Sequence, residues 1–109
     1  MHFFDMQNKK DETYRKASNT ALRILTRRDH STHELVQKLK ARGYAAKTID
    51  DVISQCERLD YINDERTVQV FIRRLQRKGY GRKRIQFELN LKGFRGKFIQ
   101  GVLAKSISD

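Results

Sequence analysis

The stretch STHELVQKLKARGY, residues 31–44, decides the fold because it carries both ends of one short helix. Ser31 and Glu34 form a capping box, in which the serine oxygen accepts from a backbone amide and the glutamate reaches back to the serine backbone. Two leucines four residues apart define one apolar helix face. Gly43 is placed for the left-handed conformation that ends a helix, and Tyr44 can pack back on it.

The same pattern returns 50 residues later, in GRKRIQFELNLKGF, residues 81–94. Eleven positions match without a gap at this offset: Leu22/Ile72, Leu25/Leu75, Arg28/Lys78, Leu35/Ile85, Leu39/Leu89, Gly43/Gly93, Tyr44/Phe94, Lys47/Lys97, Ile49/Ile99, Val52/Val102 and Ile53/Leu103. A gap-free internal repeat predicts two copies of one structural unit that stack on each other.

The fold class predicted is all-α: about six helices in two tandem three-helix repeats of ~50 residues, which form an extended helical array. The absence of proline and a charged fraction of 34% favour helices over strands. Residues 1–14 show no hydrophobic period and are expected to form a loose N-terminal arm, or one extra turn before the first helix. Repeat 1 is assigned to 15–62 and repeat 2 to 63–109, with Asp64 as N-cap of the fourth helix.

The charge of the chain is large and uneven. A net charge of +11 is self-repelling unless an anionic partner offsets it, and nucleic acid, an acidic protein surface and an anionic membrane are the candidates. Residues 50–65 hold six acidic residues against one arginine. Residues 73–97 contain one acidic residue, Glu88, against ten basic residues, which form the basic stretch: Arg73, Arg74, Arg77, Lys78, Arg82, Lys83, Arg84, Lys92, Arg95 and Lys97.

Two interpretations of this basic stretch stay open. It is either a solvated face that aids solubility or a surface for phosphate or carboxylate groups, to which arginine is suited. Tyr80, Phe87 and Phe94 could stack on bases, although an aromatic residue directly after a helix-ending glycine is more typical of turn packing. Phe87 and Leu91 lie opposite the predicted buried face of the fifth helix, so either the sixth helix or the chain end covers them, or a partner does.

The sequence lacks the residue patterns of catalysis. No glycine-rich loop has the spacing of a nucleotide-hydrolysing site. His30 and His33 are interpreted as surface histidines rather than metal ligands, and Cys56 falls in a buried stripe as a core thiol. No cofactor, metal, catalytic residue or small-molecule substrate is expected, and the chain is predicted not to be an enzyme. Without a signal peptide or a long apolar run, a cytoplasmic protein without membrane contact is expected.

The chain resembles the RecX family in motifs that occur in order from about residue 17 to residue 103. They are, in repeat 1, Arg27-Arg28-Asp29-His30-Ser31, Glu34-Leu35, Lys38-Leu39 and Gly43-Tyr44; then Leu59-Asp60-Tyr61-Ile62-Asn63-Asp64-Glu65-Arg66, Phe71-Ile72-Arg73-Arg74, Lys78-Gly79-Tyr80-Gly81, Arg84-Ile85, Glu88-Leu89 and Lys92-Gly93-Phe94. The family consists of tandem three-helix repeats, which agrees with the 50-residue period.

This resemblance implies a monomeric regulator that binds the RecA–single-stranded-DNA filament and limits its ATPase, extension and strand exchange during DNA repair and the SOS response. The basic stretch would then contact DNA phosphates or RecA, with Phe87 and Leu91 as a possible partner contact. Typical members carry a third repeat, and this chain ends after two. The alternatives are a helix-turn-helix-like or nonspecific DNA-binding module that acts without RecA, and a protein–protein adaptor whose basicity is incidental.

Overall fold

The computed structural model describes the backbone of residues 2–94 and 97–107, and the side chains of residues 11–94 and 98–107. These residues form six α-helices and no strand: α1 (His2–Arg27), α2 (Thr32–Ala41), α3 (Ala46–Arg58), α4 (Asp64–Arg77), α5 (Arg82–Leu91) and α6 (Lys97–Ser106). The molecule measures 65 × 23 × 20 Å along its principal axes. The predicted all-α tandem repeat is confirmed.

Each repeat has its own hydrophobic core, and equivalent residues lie at the two centres. Leu35 and Leu39 of α2 have no exposed surface, and neither do Ile85 and Leu89 of α5. Around the first pair lie Ala17, Ala21, Ile24, Ile49, Val52, Ile53, Cys56 and Ile62; around the second lie Val68, Phe71, Ile72, Phe94, Ile99 and Leu103. Neither core is large, which is typical of a chain of this length.

The ends of α2 and α5 form as the sequence predicts. Both hydrogen bonds of the Ser31 capping box are present. Gly43 and Gly93 have φ of 88° and 86°, in the left-handed region. The amides of Tyr44 and Phe94 then reach back five residues to leucine carbonyls at 3.3 and 3.0 Å, so the chain reverses while its last carbonyls stay hydrogen-bonded.

Two boundaries differ from the prediction. Residues 2–14 continue α1 instead of forming a loose arm, because no glycine or proline interrupts them and Glu12 pairs with Lys16 one turn on. The N-cap of α4 is Asn63, whose Oδ1 accepts from the Arg66 amide at 3.0 Å, and not Asp64. Asp64 is one residue inside the helix, where its carboxylate is free to contact the other repeat.

The two repeats meet at the N-terminus of α2. The Ser31 hydroxyl donates to the carbonyl of Lys92 at 2.6 Å, across 61 positions of sequence. The Thr32 amide and hydroxyl both donate to Oδ1 of Asp64, at 2.7 and 3.0 Å. A Cβ atom at Gly93 would overlap the side chain of His33. Backbone and side-chain contacts on both sides of one helix start therefore fix the second repeat against the first.

Candidate nucleic-acid interface

The basic face of α4 follows from the helical period of its sequence. Phe71 and Ile72 are buried in the core of repeat 2, so residues one or two positions further along point to solvent. Arg73, Arg74 and Arg77 are all exposed on this side, as is Lys78 at the helix end. The apolar and cationic residues that alternate in the sequence thus lie on opposite sides of the same helix.

The start of α5 lies next in the chain and adds to the same charge. Gly81 is its N-cap and provides no side-chain acceptor, and the first turn contains no acidic residue. Instead, the turn carries Arg82, Lys83 and Arg84. A helix N-terminus is the positive end of the helix dipole, so these cations increase a potential that is already positive. Such an arrangement favours an anion over solvent water at this position.

The contacts of Arg84 define the direction of its side chain. Its Nε donates to Oε1 of Glu88 at 2.9 Å, and its guanidinium lies 4.6 Å from the centre of the Tyr80 ring. The hydrogen bond to Glu88 and, to a smaller extent, the interaction with Tyr80 raise the pKa of Arg84 above its ordinary value. The stacked tyrosine is thereby held at the turn, as its place after Gly79 suggested.

Lys92 belongs to the junction between repeats rather than to an open basic face. Its Nζ is 5.1 Å from the centre of the Phe71 ring and 3.8 Å from Oε2 of Glu34 in the other repeat. The guanidinium of Arg74 contacts the same ring, at 5.4 Å. Phe71 also meets Phe94 edge-to-face, with 5.7 Å between centroids. Lys92 is consequently half-buried and already neutralised in part.

Glu34 is held in its ionised form by this junction. Burial by itself would raise its pKa, but the Ser31 amide, the Arg28 guanidinium and the Lys92 charge outweigh that effect and bring the pKa below its ordinary value. The Arg28 Nη2 atom lies 3.1 Å from Oε2. One glutamate therefore caps α2, as the sequence predicts, and also links Arg28 to Lys92 of repeat 2, which no local pattern in the sequence indicates.

The ten predicted basic residues fall into three groups. Arg73, Arg74, Arg77, Lys78, Lys83 and Arg84 are exposed, whereas Arg82 and Lys92 are half-buried. Arg95 lies outside the described residues, and Lys97 begins α6 without a described side chain. Four of the exposed cations make no ion pair or hydrogen bond with any described side chain: Arg73, Arg77, Lys78 and Lys83.

The apolar pair on α5 is open to solvent. Phe87 and Leu91 are 56% and 65% exposed, so α6 does not cover them. Cover by the sixth helix, which the sequence left open, is wrong because both side chains stay exposed while α6 packs on α4. Phe98 on α6 is also 45% exposed. Contact of this pair with a partner stays a prediction.

Reactive side chains are few in the described part of the chain. Burial raises the pKa of the Cys56 thiol, which leaves it in its unreactive protonated form inside the core of repeat 1. Within residues 11–94 and 98–107, no three histidine, cysteine or acidic side chains are grouped to hold a metal ion. None of the described helices is long and apolar enough to cross a bilayer.

Two stacked three-helix units with an exposed basic face define a tandem helical-repeat protein, and comparison with known proteins identifies its family. The model for the RecX first three-helix domain matches residues 17–56, and the model for the RecX second three-helix domain matches residues 63–103. The chain belongs to the RecX family.

Individual relatives agree with this membership. A regulatory protein RecX of Legionella pneumophila (strain Corby) is 42% identical over 88 residues, which cover 81% of this chain and 59% of the relative. A regulatory protein RecX of Vibrio vulnificus is 36% identical over 84% of this chain and 60% of the relative. A regulatory protein RecX of Vibrio parahaemolyticus is 33% identical over 95% of this chain and 67% of the relative. The chain thus spans about three fifths of the length of the first two relatives.

Proposed function

We propose that this chain regulates the RecA recombinase by binding the RecA–single-stranded-DNA filament and limiting its ATPase, extension and strand exchange in DNA repair and the SOS response. Family membership and the name of the relatives, regulatory protein RecX, support a regulatory role. The chain is proposed to act in the cytoplasm as a monomer, with its repeats at residues 15–62 and 63–109. It acts by binding alone, without a cofactor or a small-molecule substrate.

The observation that carries the proposal is the group of exposed cations that lack a described partner: Arg73, Arg77, Lys78 and Lys83. Like charges on neighbouring helix positions repel by a few tenths of a kcal/mol per pair, so their grouping costs stability in the free protein. An anionic partner removes that cost and gains charge-assisted hydrogen bonds. A nucleoprotein filament offers DNA phosphates together with acidic protein side chains.

Binding of this kind can limit a filament without chemistry. A ligand shifts a conformational equilibrium only by the difference between its affinities for the two states. If the chain binds RecA and DNA together, its affinity depends on their relative positions. A filament that must rearrange during ATP hydrolysis or extension then has to break this binding, and the bound state opposes the change.

The experiment is a titration of RecA's single-strand-dependent ATPase, with protein–DNA binding followed in parallel at two salt concentrations. The test variant carries Arg73→Gln, Arg77→Gln and Lys83→Gln. The matched control carries Lys40→Gln, Lys47→Gln and Arg58→Gln, three exposed cations on α2 and α3. We expect the unchanged chain and the control to lower the ATPase well before the DNA is coated, and the test variant to require about tenfold more protein, or about 1.4 kcal/mol.

Two other outcomes contradict the proposal. An ATPase that falls only as the DNA becomes coated, with a salt slope of about −0.7 per phosphate neutralised, identifies a DNA-binding module that competes for the substrate without RecA. Equal losses of inhibition in the test and control variants mean that total charge, and not this surface, determines the effect.

A further inference from the structure

A second basic site lies in repeat 1, outside the stretch that the sequence singles out. A pocket of about 620 Å³ opens between the end of α1 and the length of α2. Five cationic side chains line it, with Ile24 and His30 at its base: Arg23, Arg27, Arg28, Lys38 and Arg42. Among the residues whose side chains are described, no carboxylate contributes to the lining. A concave surface with one sign of charge concentrates the electrostatic potential in the cavity.

Three of these arginines are not engaged elsewhere. Arg23, Arg27 and Arg42 make no ion pair or side-chain hydrogen bond with any residue whose side chain is described. Arg27 and Arg42 lie at helix C-termini, where a cation is favoured by the dipole, so each position alone needs no ligand. Their convergence with Arg23 on one cavity is not explained by the dipoles, since like charges around a shared space repel.

The base of the pocket is a buried neutral imidazole. His30 is 2% exposed, which corrects the expectation of a surface histidine. Its Nδ1 lies 2.9 Å from the Arg28 carbonyl, which can only accept, so Nδ1 carries the proton and Nε2 accepts from Lys38 Nζ at 2.6 Å. Burial is the main reason that the pKa of His30 is lowered; the Arg28 carbonyl and Glu34 oppose this, and the Arg28 and Lys38 charges add to it.

The same cations recur in repeat 2 at the 50-residue offset, as the pairs Arg23/Arg73, Arg27/Arg77, Arg28/Lys78 and Arg42/Lys92. A cation pattern with the period of the fold fits a ligand that is itself a charged polymer better than a single acidic side chain. Lys38 breaks the equivalence, because its counterpart is Glu88, which pairs with Arg84. The complete cationic pocket is therefore particular to repeat 1.

We propose that the pocket formed by Arg23, Arg27, Arg28, Lys38 and Arg42 binds a phosphodiester group of a nucleic-acid backbone. The forks of Arg23, Arg27 and Arg42 suit two phosphate oxygens each. Arg28, which is paired with Glu34, and Lys38, which donates to His30, add positive charge beside them. The contact is independent of base sequence, since it involves the backbone alone. It goes beyond the regulatory role above, because it assigns DNA contact to the first repeat and does not require RecA.

The test uses the full chain with oligothymidylate and without RecA, so its failure leaves the regulatory role untouched. The pocket variant carries Arg27→Gln and Arg42→Gln; the control carries Arg15→Gln and Lys47→Gln, two exposed cations of the same repeat outside the pocket. We expect the pocket variant to bind about tenfold more weakly, with a salt slope smaller by about 0.7 for each phosphate that is no longer neutralised, and the control to change little.

A second measurement on the unchanged chain does not depend on the stability of variants. Because an anion beside Lys38 offsets the cations that face His30, bound oligothymidylate should raise the pKa of the His30 ring, followed by NMR. Inorganic phosphate at the same phosphate concentration should have a much smaller effect. The proposal is overturned if oligothymidylate leaves the ring unchanged, if inorganic phosphate matches it, which indicates a free-anion site, or if pocket and control variants lose affinity equally.

Discussion

Replacement of Gly93 by alanine measures the contact between the repeats. At this position φ is +86°, and an added Cβ would overlap the His33 side chain, beginning at its own Cβ. At Gly43, φ is +88° and nothing lies within 4 Å of an added Cβ. The two glycines end equivalent helices in the two repeats, so Gly43→Ala is a control for everything except the contact with His33.

The expected costs differ by that contact. A left-handed L-residue costs about 1–2 kcal/mol, and alanine recovers about 0.4–1 kcal/mol by restricting the unfolded chain. Gly43→Ala should therefore lower the free energy of unfolding by about 1 kcal/mol. Overpacking adds about 1–3 kcal/mol, because His33 is fixed by the first turn of α2 and only a shift of one repeat can relieve the overlap. Gly93→Ala should thus cost about 2–4 kcal/mol.

Urea unfolding followed by circular dichroism gives both values, and amide chemical shifts of residues 31–34 report whether the junction moves. We expect these shifts to change in Gly93→Ala and to stay in place in Gly43→Ala. Equal unfolding free energies for the two variants, with unchanged shifts at residues 31–34, would refute the packing of Gly93 on His33.

Three further predictions concern polar groups of repeat 1 and its junction. Asp64→Ala should lower the free energy of unfolding by about 2 kcal/mol because it removes two charge-assisted hydrogen bonds, whereas Asp51→Ala, at an exposed position, should change it by less than about 0.5 kcal/mol; urea unfolding compares them. Because the pKa of Glu34 is lowered on folding, the stability it contributes is present above its ordinary pKa and is lost as the pH falls through the folded value. The advantage of the unchanged chain over Glu34→Gln should therefore shrink as the pH falls below the ordinary value of 4.5. An advantage that grows over that range would contradict the ionised cap. Measured by NMR, the pKa of His30 should lie below its ordinary value of about 6.5. The folded state should lose stability as the pH falls below that value, because the unfolded chain takes up the proton more readily. An unshifted pKa would contradict the burial of the ring.

What could be predicted from the sequence is what is encoded locally. The capping box at Ser31 and Glu34 and the reversal at Gly43 depend on residues within a few positions of each other, and the structure shows both. The same holds for the helical stripes that bury Leu35 and Ile85. The 50-residue offset added the one long-range element of the prediction, that the two halves share a fold.

The parts that were missed depend on distant residues. The hydrogen bonds of Ser31 with Lys92 and of Thr32 with Asp64 span 61 and 32 positions, and no spacing rule links them. The burial of His30 follows from the packing of α1 on α2, where a polar ring is tolerated because both nitrogens find partners. The pocket of repeat 1 was missed because its cations are scattered through residues 23–42 and converge only when the helices pack.

The hydrogen bonds that join the two repeats have a consequence for how strongly the chain can hold an extended partner. Because the repeats are fixed against each other on folding, the entropy of orienting them is lost before binding and not during it. Once one repeat is engaged, the other acts at a high effective concentration, and two weak interactions combine into a tight one. Replacement of Asp64 should therefore lower the affinity for a long ligand more than the affinity for a short one, although Asp64 lies outside both basic surfaces.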